Sequence, residues 1–289
     1  MGLIGTIGLV LHPARDCDVA MDTITGWAHA RSVAVLGLAG EVERITGGAA
    51  AVDGAYLAQH SDLIVSLGGD GTMLRAMRLS RGSRSPVLGV NLGRLGFLAE
   101  IDIPELAAAL SAIDEHRFTV EPRSGVRAAF AGQDTTAFND VALVRIPGDG
   151  ATAAVELTVE GHSFVRYAAD AVIVATPTGS TAYSFSAGGP IVSPRAEGLL
   201  VTPVAPHSAF NRALFLSSGE KLALTILTGS GKLAVEADGR VVGHVGPGDV
   251  VDLTLLPAAA QVVRLGVTTF YQRAQRRLRL TGSAEVDGG

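Results

Sequence analysis

The stretch that decides the fold is Asp62-Leu-Ile-Val-Ser-Leu67 followed by Gly68-Gly69-Asp70-Gly71-Thr72 and then Met73-Leu74-Arg75-Ala76-Met77. A short apolar run bounded by glycines reads as a buried strand, and the residues after the glycines return to helical spacing. Strand, glycine turn and helix start is the local unit of a parallel sheet with crossover helices. Glycine lets a ligand approach the backbone closely, and the free N–H groups of a helix start attract phosphate oxygens. Asp70 is the residue that this account leaves unexplained. A carboxylate there repels phosphates unless it meets a metal ion or receives a proton from an attacking hydroxyl. Asp-Gly is also a common turn pair, so a purely shape-giving role for Asp70 fits the same residues.

Outward from this unit, the first 120 residues alternate β-branched runs with helical stretches. Strands are expected at Ile4 to Leu11, Ser32 to Leu38, Asp62 to Leu67 and Pro86 to Asn91. Helices are expected at Asp16 to Ala30, in part of Gly48 to Gln59, at Met73 to Ser80 and at Pro104 to His116, the last with Asp102 as its N-cap. From about Arg123 to Gly266 the apolar residues alternate in short runs, as in Val155 to Glu160, Lys221 to Leu227 and Val250 to Leu255, which reads as mostly β. Thr268 to Leu280 has Phe270, Tyr271, Ala274 and Leu278 at helical spacing and is expected to dock by that stripe. Ser283 to Gly289 reads as a frayed tail.

Composition bounds the function. At 289 residues, two domains are favoured over one. Hydrophobic residues at 47% allow a substantial core, and a net charge of −5 gives no basic face for nucleic acid. One cysteine, Cys17, excludes an intrachain disulfide and a cysteine zinc site, and fits a reducing cytoplasmic compartment. No eighteen-residue apolar run and no leader pattern occur, so no membrane partner is expected. The histidines form no His-x-x-x-His pair, and His207 reads as a wall residue. Lys221 and Lys232 are the only lysines, so a long cationic ligand contact should be an arginine.

Two familiar phosphate signatures are missing. No Gly-x-x-x-x-Gly-Lys-Ser/Thr occurs, and Gly89-Val-Asn-Leu-Gly93-Arg-Leu-Gly96 is wrongly spaced for Gly-x-Gly-x-x-Gly. Even so, Asn91-Leu-Gly93-Arg-Leu-Gly96-Phe97-Leu98 places a second glycine loop at the carboxyl end of a strand, where open α/β sheets bind ligands. A third cluster, Val172-Ile-Val-Ala-Thr176-Pro-Thr-Gly179-Ser-Thr-Ala-Tyr183-Ser-Phe-Ser186-Ala-Gly188-Gly189-Pro190, runs from a strand into hydroxyls and glycines suited to a polar ligand such as a nucleotide.

These stretches, with Asn139-Asp140 between them, stand in the order and approximate spacing of the ATP-dependent NAD kinases, and from about residue 4 to 275 the chain resembles that family. The resemblance implies an α/β N-terminal domain with a Rossmann-like parallel sheet plus a β-rich C-terminal domain. Its boundaries would be 1–120, joined by the C-terminal segment 267–289, and an NAD-binding domain at 121–266. It implies phosphorylation of the 2′-hydroxyl of the adenosine ribose of NAD by ATP, with Mg²⁺ or another divalent metal accompanying the donor. Carried over by position, Asp70 resembles the catalytic residue that takes or orients the hydroxyl proton, with Gly71 and Arg75 beside the substrate. Gly68, Gly69, Gly71 and Thr72 would hold the ATP phosphates. Asn139, Asp140, Asp170, Thr181, Ala182, Tyr183, Ser186 and, by weaker alignment, Ala205 would bind NAD, and Asp238-Gly239-Arg240 resembles a late Asp-Gly motif. No protein-held metal cluster is implied. The family also forms homodimers and homotetramers.

One stretch departs from the family. Ala169-Asp170-Ala171 stands where the family usually has Gly-Asp-Gly, so two methyl groups flank a proposed ligand carboxylate. That leaves as an alternative a paralogue acting on another nucleotide, nucleoside or sugar hydroxyl. A lipid kinase of the wider superfamily would lack the Thr181-Ala182-Tyr183 cluster, and a non-catalytic nucleotide sensor would not need Asp70.

Overall fold

The computed structural model describes residues 2–45, 48–93, 96–149, 152–207 and 210–280. Arg94 and Leu95 of the second glycine loop, and the expected tail Ser283 to Gly289, lie outside the described residues. The chain divides into two compact units, Met1–Pro122 with Ala260–Gly289, and Arg123–Ala259.

In the first unit the elements run β1 (Thr6–Leu11), α1 (Asp18–His29), β2 (Ala34–Leu38), α2 (Ala39–Val42), β3 (Ala50–Val52), α3 (Gly54–His60), β4 (Leu63–Gly68), α4 (Asp70–Ser80), β5 (Val87–Asn91), β6 (Ile101–Asp102) and α5 (Leu106–Asp114). The five main strands pair in parallel in the order β3-β2-β1-β4-β5. β4 and β5 are buried along their whole length, as parallel strands covered on both faces must be, which is why they read as continuous apolar runs rather than alternating ones. One face packs Ile7, Leu9 and Leu11 of β1 against Met21 and Ile24 of α1 and Leu106 and Leu110 of α5. Trp27 closes that layer and donates its indole N–H to Ser111 Oγ at 3.0 Å.

The expected strands and helices are present, with ends displaced by a few residues. The most informative shift is α4, which begins at Asp70 and not at Met73, so the acid of the turn is the first helical residue. The Gly48 to Gln59 stretch holds both β3 and α3. α3 starts where Asp53 accepts from Tyr56 N, an N-cap that satisfies an otherwise unpaired helix donor.

The second unit contains most of β7 (Thr119–Phe130), then β8 (Gln133–Ala137), β9 (Asp140–Arg145), β10 (Ala153–Val159), β11 (His162–Ala169), β12 (Ala171–Ala175), α6 (Tyr183–Ser186), β13 (Gly198–Val204), β14 (Leu214–Ser217), β15 (Leu222–Ile226), β16 (Leu233–Ala237), β17 (Arg240–Val245) and the first part of β18 (Val250–Arg264). An antiparallel sheet runs β14-β13-β12-β9-β16-β17. β11, β10, β15 and the start of β18 form a second antiparallel ribbon. The residues that alternate inward along these strands, among them Val141, Leu143, Val155, Leu157, Leu224 and Leu253, share one core.

The end of β18 returns to the first unit, where Val262 pairs in parallel with Val87, and leads to α7 (Phe270–Leu278). Here the expectation of a docked apolar stripe holds in part: Ala274 is buried, and Phe270 and Leu278 are half-buried. Tyr271 is 66% exposed, while Arg273 is buried beside Ala274. Arg273 donates to Glu100 at 3.2 Å, and Glu100 also receives Arg264 at 2.8 Å. A buried carboxylate thus draws in a charged residue that helical periodicity assigns to solvent. None of the described helices is long and apolar enough to cross a membrane.

Candidate active site

In the first unit the site grows from the carboxyl ends of β1, β4 and β5. His12 N donates to Leu67 O at 2.8 Å and Leu92 N to Gly68 O at 3.2 Å, which fixes the three strand ends side by side. Gly68 is where the chain turns tightest: a Cβ there would lie 2.6 Å from Thr72 Cβ, because the Thr72 side chain folds back over it and is buried. Gly69 and Gly71 face open space, with nothing within 4 Å of an added Cβ. The turn therefore presents bare backbone at a helix start, while the Thr72 side chain packs inward.

Asp70 is held from the opposite side. Phe97 N donates to its Oδ2 and Leu98 N to its Oδ1, both at 3.0 Å. Gly96 makes this possible, since a Cβ there would stand 2.7 Å from Asp70 Cγ. Asn91 braces the same loop: its side-chain amide donates to Gly93 O at 2.9 Å and to Asp102 Oδ1 at 2.8 Å, and its oxygen accepts from Gly93 N at 3.1 Å. The two glycine motifs of the first unit are thus one construction, with the second positioning the carboxylate of the first.

Arg75, one turn along α4, points to β1. It donates to the Leu11 carbonyl and pairs with Glu41 at 2.7 Å. The other oxygen of Glu41 accepts from Leu11 N at 2.6 Å. Arg75 is therefore committed to a carboxylate that sequence reasoning missed, in a helix too short for a periodic signal.

In the second unit Asp140 is the focal residue. Its carboxyl is pushed up to about 7, first by burial and then by the negative charges of Asp238 and Glu236. Asp238 sits at φ 47° in the turn before β17. Its carboxylate accepts from Asn139 N at 2.7 Å and from Phe138 N at 3.0 Å, so the late Asp-Gly motif shapes the Asn139-Asp140 corner. Gly179 is pressed onto the same corner, where an added Cβ would lie 2.7 Å from Asn139 Cα. Thr176 completes it, with N to Asn139 O at 2.8 Å and Oγ1 to Phe138 O at 2.5 Å.

Tyr183 opens α6. Its hydroxyl is pushed up by burial, then by Glu236, Asp140 and Asp170, which brings four groups of this unit into one field. Glu236 was missed in the sequence because it sits in an ordinary alternating strand; register places it opposite Ala142, two residues from Asp140. Asp170 pairs with Arg145 at 2.5 Å, so its carboxylate already has a cationic partner. Its backbone N donates to Val204 O, which sets Ala205, at φ 45°, beside it. Of the hydroxyl run, Ser180 and Ser184 are buried and bonded within the fold, to Pro177 O and to Thr202 Oγ1. Thr181 donates at 3.3 Å to Thr178 O and Ser186 at 3.5 Å to Ala182 O, both with part of the side chain toward solvent. His207 is placed by its backbone, which donates to Ala168 O at 2.7 Å.

A cavity of about 680 Å³ opens elsewhere, around Asp62, Arg78 and Ser85 at the amino ends of β4 and β5. It lies at the wrong end of the strands for the glycine turns, and α/β sheets carry ligands at the carboxyl ends.

Fold and site define a phosphotransferase class that has no P-loop, with a carboxylate set in a glycine turn. The family model of the ATP-NAD kinase N-terminal domain matches residues 52–118, and that of the ATP-NAD kinase C-terminal domain matches 138–265. NAD kinase 1 of Streptomyces avermitilis is 39% identical, over 98% of this chain and 90% of that protein. NAD kinase of Moorella thermoacetica is 35% identical, over 78% and 73%. The crystal structure of yeast NADH kinase complexed with NADH matches with a TM-score of 0.84 at 24% identity, covering 98% of this chain and 92% of that one. An NAD kinase from Archaeoglobus fulgidus in complex with ATP matches with a TM-score of 0.73 at 24% identity, over 96% and 100%. The last two establish the fold. The chain belongs to the ATP-NAD kinase family.

Proposed function

We propose that the chain transfers the γ-phosphoryl group of ATP to the 2′-hydroxyl of the adenosine ribose of NAD, giving NADP and ADP. The observation that carries this reading is the Asp70 carboxylate, fixed in a phosphate-type turn by two backbone N–H groups. A ground-state carboxylate is too weak a base to ionise a ribose hydroxyl in advance. Asp70 orients the hydroxyl and takes its proton as the new O–P bond forms and the bond to the ADP oxygen breaks. Gly68, Gly69 and Gly71 offer backbone to the phosphates. Asn139, Asp140, Tyr183, the half-buried Thr181 and the exposed Ser186 hold the dinucleotide, with Asp170 and Ala205 beside them.

A divalent metal enters with ATP. Among the described residues no three His, Cys, Asp or Glu gather to hold one. Mg²⁺ commonly takes one or two carboxylates beside phosphate and water, so the single acid of the turn, Asp70, fits a phosphate-borne ion. Bound there, the ion would neutralise the charge of the transferred group.

The test is NADP formation by the purified chain from NAD, ATP and Mg²⁺. If NAD is inert and another nucleoside or sugar hydroxyl is phosphorylated, the acceptor assignment is wrong. If no acceptor is phosphorylated, the kinase reading itself fails.

A further inference from the structure

Within the first unit, the segment from Gly96 to Glu100 is held from three sides. Phe97 N and Leu98 N face the Asp70 carboxylate. Against β5 the segment lies on Gly89, where an added Cβ would stand 2.9 Å from Ala99 Cα, and Glu100 N donates to the Gly89 carbonyl at 2.9 Å. The third side is the returning end of the chain. Arg264, the last residue of β18, donates through Nη1 to Glu100 Oε2 at 2.8 Å and to Leu98 O at 3.4 Å, and through Nε to Glu121 Oε2 at 2.6 Å. Leu265 N donates to Glu100 Oε1 at 2.9 Å, and Arg273 joins the cluster at Glu100. Arg264 and Glu100 are both buried.

Stability alone does not call for such a cluster. Buried charges lose hydration that their pairing often fails to return, and well-packed apolar residues of similar volume commonly do as well or better. Burial, and then the neighbouring Arg264, hold the Arg273 guanidinium below its ordinary pKa, so two cations crowd one carboxylate here. What a guanidinium offers and an apolar side chain does not is direction, because its planar fork donates to several acceptors at fixed angles. Arg264 turns that fork onto two carboxylates and one main-chain carbonyl, and the carbonyl belongs to a residue whose N–H aims Asp70.

We propose that Arg264 is a positioning residue for phosphoryl transfer: by fixing the Leu98 carbonyl and the Glu100 side chain, it sets the two N–H groups that aim the Asp70 carboxylate. The inference rests on the kinase reading above, in which Asp70 takes the proton of the acceptor hydroxyl. The N–H and the carbonyl of Leu98 lie in two rigid peptide planes that meet at its Cα, so pinning one leaves the other only the φ and ψ of a single residue. Arg264 acts through Leu98 and not on the reacting atoms.

The experiment uses Arg264→Lys, which keeps a positive charge for the two carboxylates but has no fork to hold the Leu98 carbonyl as well, and Arg264→Met as its apolar counterpart. Each is made alone and on Asp70→Asn, with melting curves to show a folded chain; if Arg264→Met does not fold, Arg264→Lys decides. The measurements are kcat, KM for NAD and for ATP, and hydrogen exchange at the Phe97 and Leu98 amides. Arg264→Lys should lower kcat about 10- to 100-fold, leave both KM values within about twofold, and speed exchange at those two amides about 10-fold. On Asp70→Asn the same substitution should cost less than about twofold further, because the group that Arg264 aims is already gone. Losses in kcat that multiply in full would overturn the positioning role and leave Arg264 a structural residue. Unchanged exchange at Phe97 and Leu98 overturns it as well, whatever the activity. A wild type that makes no NADP but shows the exchange difference loses the acceptor assignment and keeps Arg264 as the residue that aims Asp70.

Discussion

Leu98 bonds to Asp70 and Arg264 through its two backbone groups. Its N–H donates to Asp70 Oδ1 at 3.0 Å, and its carbonyl accepts from Arg264 Nη1 at 3.4 Å. Arg264 also binds Glu100, which binds Arg273 on the last helix. The carboxylate assigned to proton transfer is thus anchored to Arg264 and Arg273, about 190 to 200 positions further along the chain. A fixed base matters because a misplacement of about 1 Å in a reacting group can reduce rate about 100-fold.

Replacing Asp70 with Asn keeps the side-chain size and the helix start but removes the proton acceptor and turns an amide NH2 toward one of the Phe97 and Leu98 N–H groups. Turnover in NADP formation should fall about 10² to 10⁴-fold while the melting curve stays cooperative, with a modest drop in melting temperature from the one lost hydrogen bond. Near-normal turnover would remove Asp70 from the chemistry and leave it as a turn residue.

Gly96→Ala tests position separately from chemistry. The added methyl would stand 2.7 Å from Asp70 Cγ, in the space the carboxylate now fills. The carboxylate or the loop must shift, and kcat should drop about 10- to 100-fold while Asp70 itself is intact. Equal kcat in the variant and the wild type would show that the loop yields without moving the acid.

The parts of this site that could be read in the sequence are those made by neighbours in the chain. Gly68 to Thr72 stands out because a buried strand must stop there and a helix must start, and few residue types permit both. Thr176 to Tyr183 stands out for the same reason. Glu41, Glu100, Arg264 and Arg273 left no such trace, because their partners lie 34, 164 and 173 positions away and each looks locally like a solvent charge. Tyr271 misled for the converse reason: helical spacing assigned it to the buried stripe, but the docking of α7 is decided by the Glu100 carboxylate, which no local pattern reports.

Glu100 should therefore be worth more than a surface acid. Its side chain is fully buried, and it binds Arg264, Arg273 and, through Oε1, Leu265 N at 2.9 Å. Glu100→Ala strands the buried Arg273 guanidinium and leaves Arg264 with Glu121 as its remaining carboxylate, and should lower unfolding free energy by about 3–5 kcal/mol in urea titration. Pairing it with Arg273→Met removes that stranded charge and should restore part of the loss. If the double variant is the less stable by the full sum of both single losses, the two side chains do not act as a pair.

Asp140 ties stability to pH in a direction opposite to most acids. Its carboxyl titrates at about 7 in the folded chain, against 3.8 for the ordinary group, because it is buried near Asp238 and Glu236. Between those two values the folded state holds a proton that the unfolded state has released. Unfolding free energy therefore falls as pH rises from about 4 to about 7 and levels off above. With each pKa unit equal to about 1.4 kcal/mol, the loss from this group is at most roughly 4 kcal/mol. Asp140→Asn cannot ionise, so its stability should lack this descent and should exceed that of the wild type most clearly near pH 8. Urea unfolding of both proteins at pH 5, 6, 7 and 8 measures the difference directly, and parallel pH profiles would show that Asp140 is already ionised in the folded state.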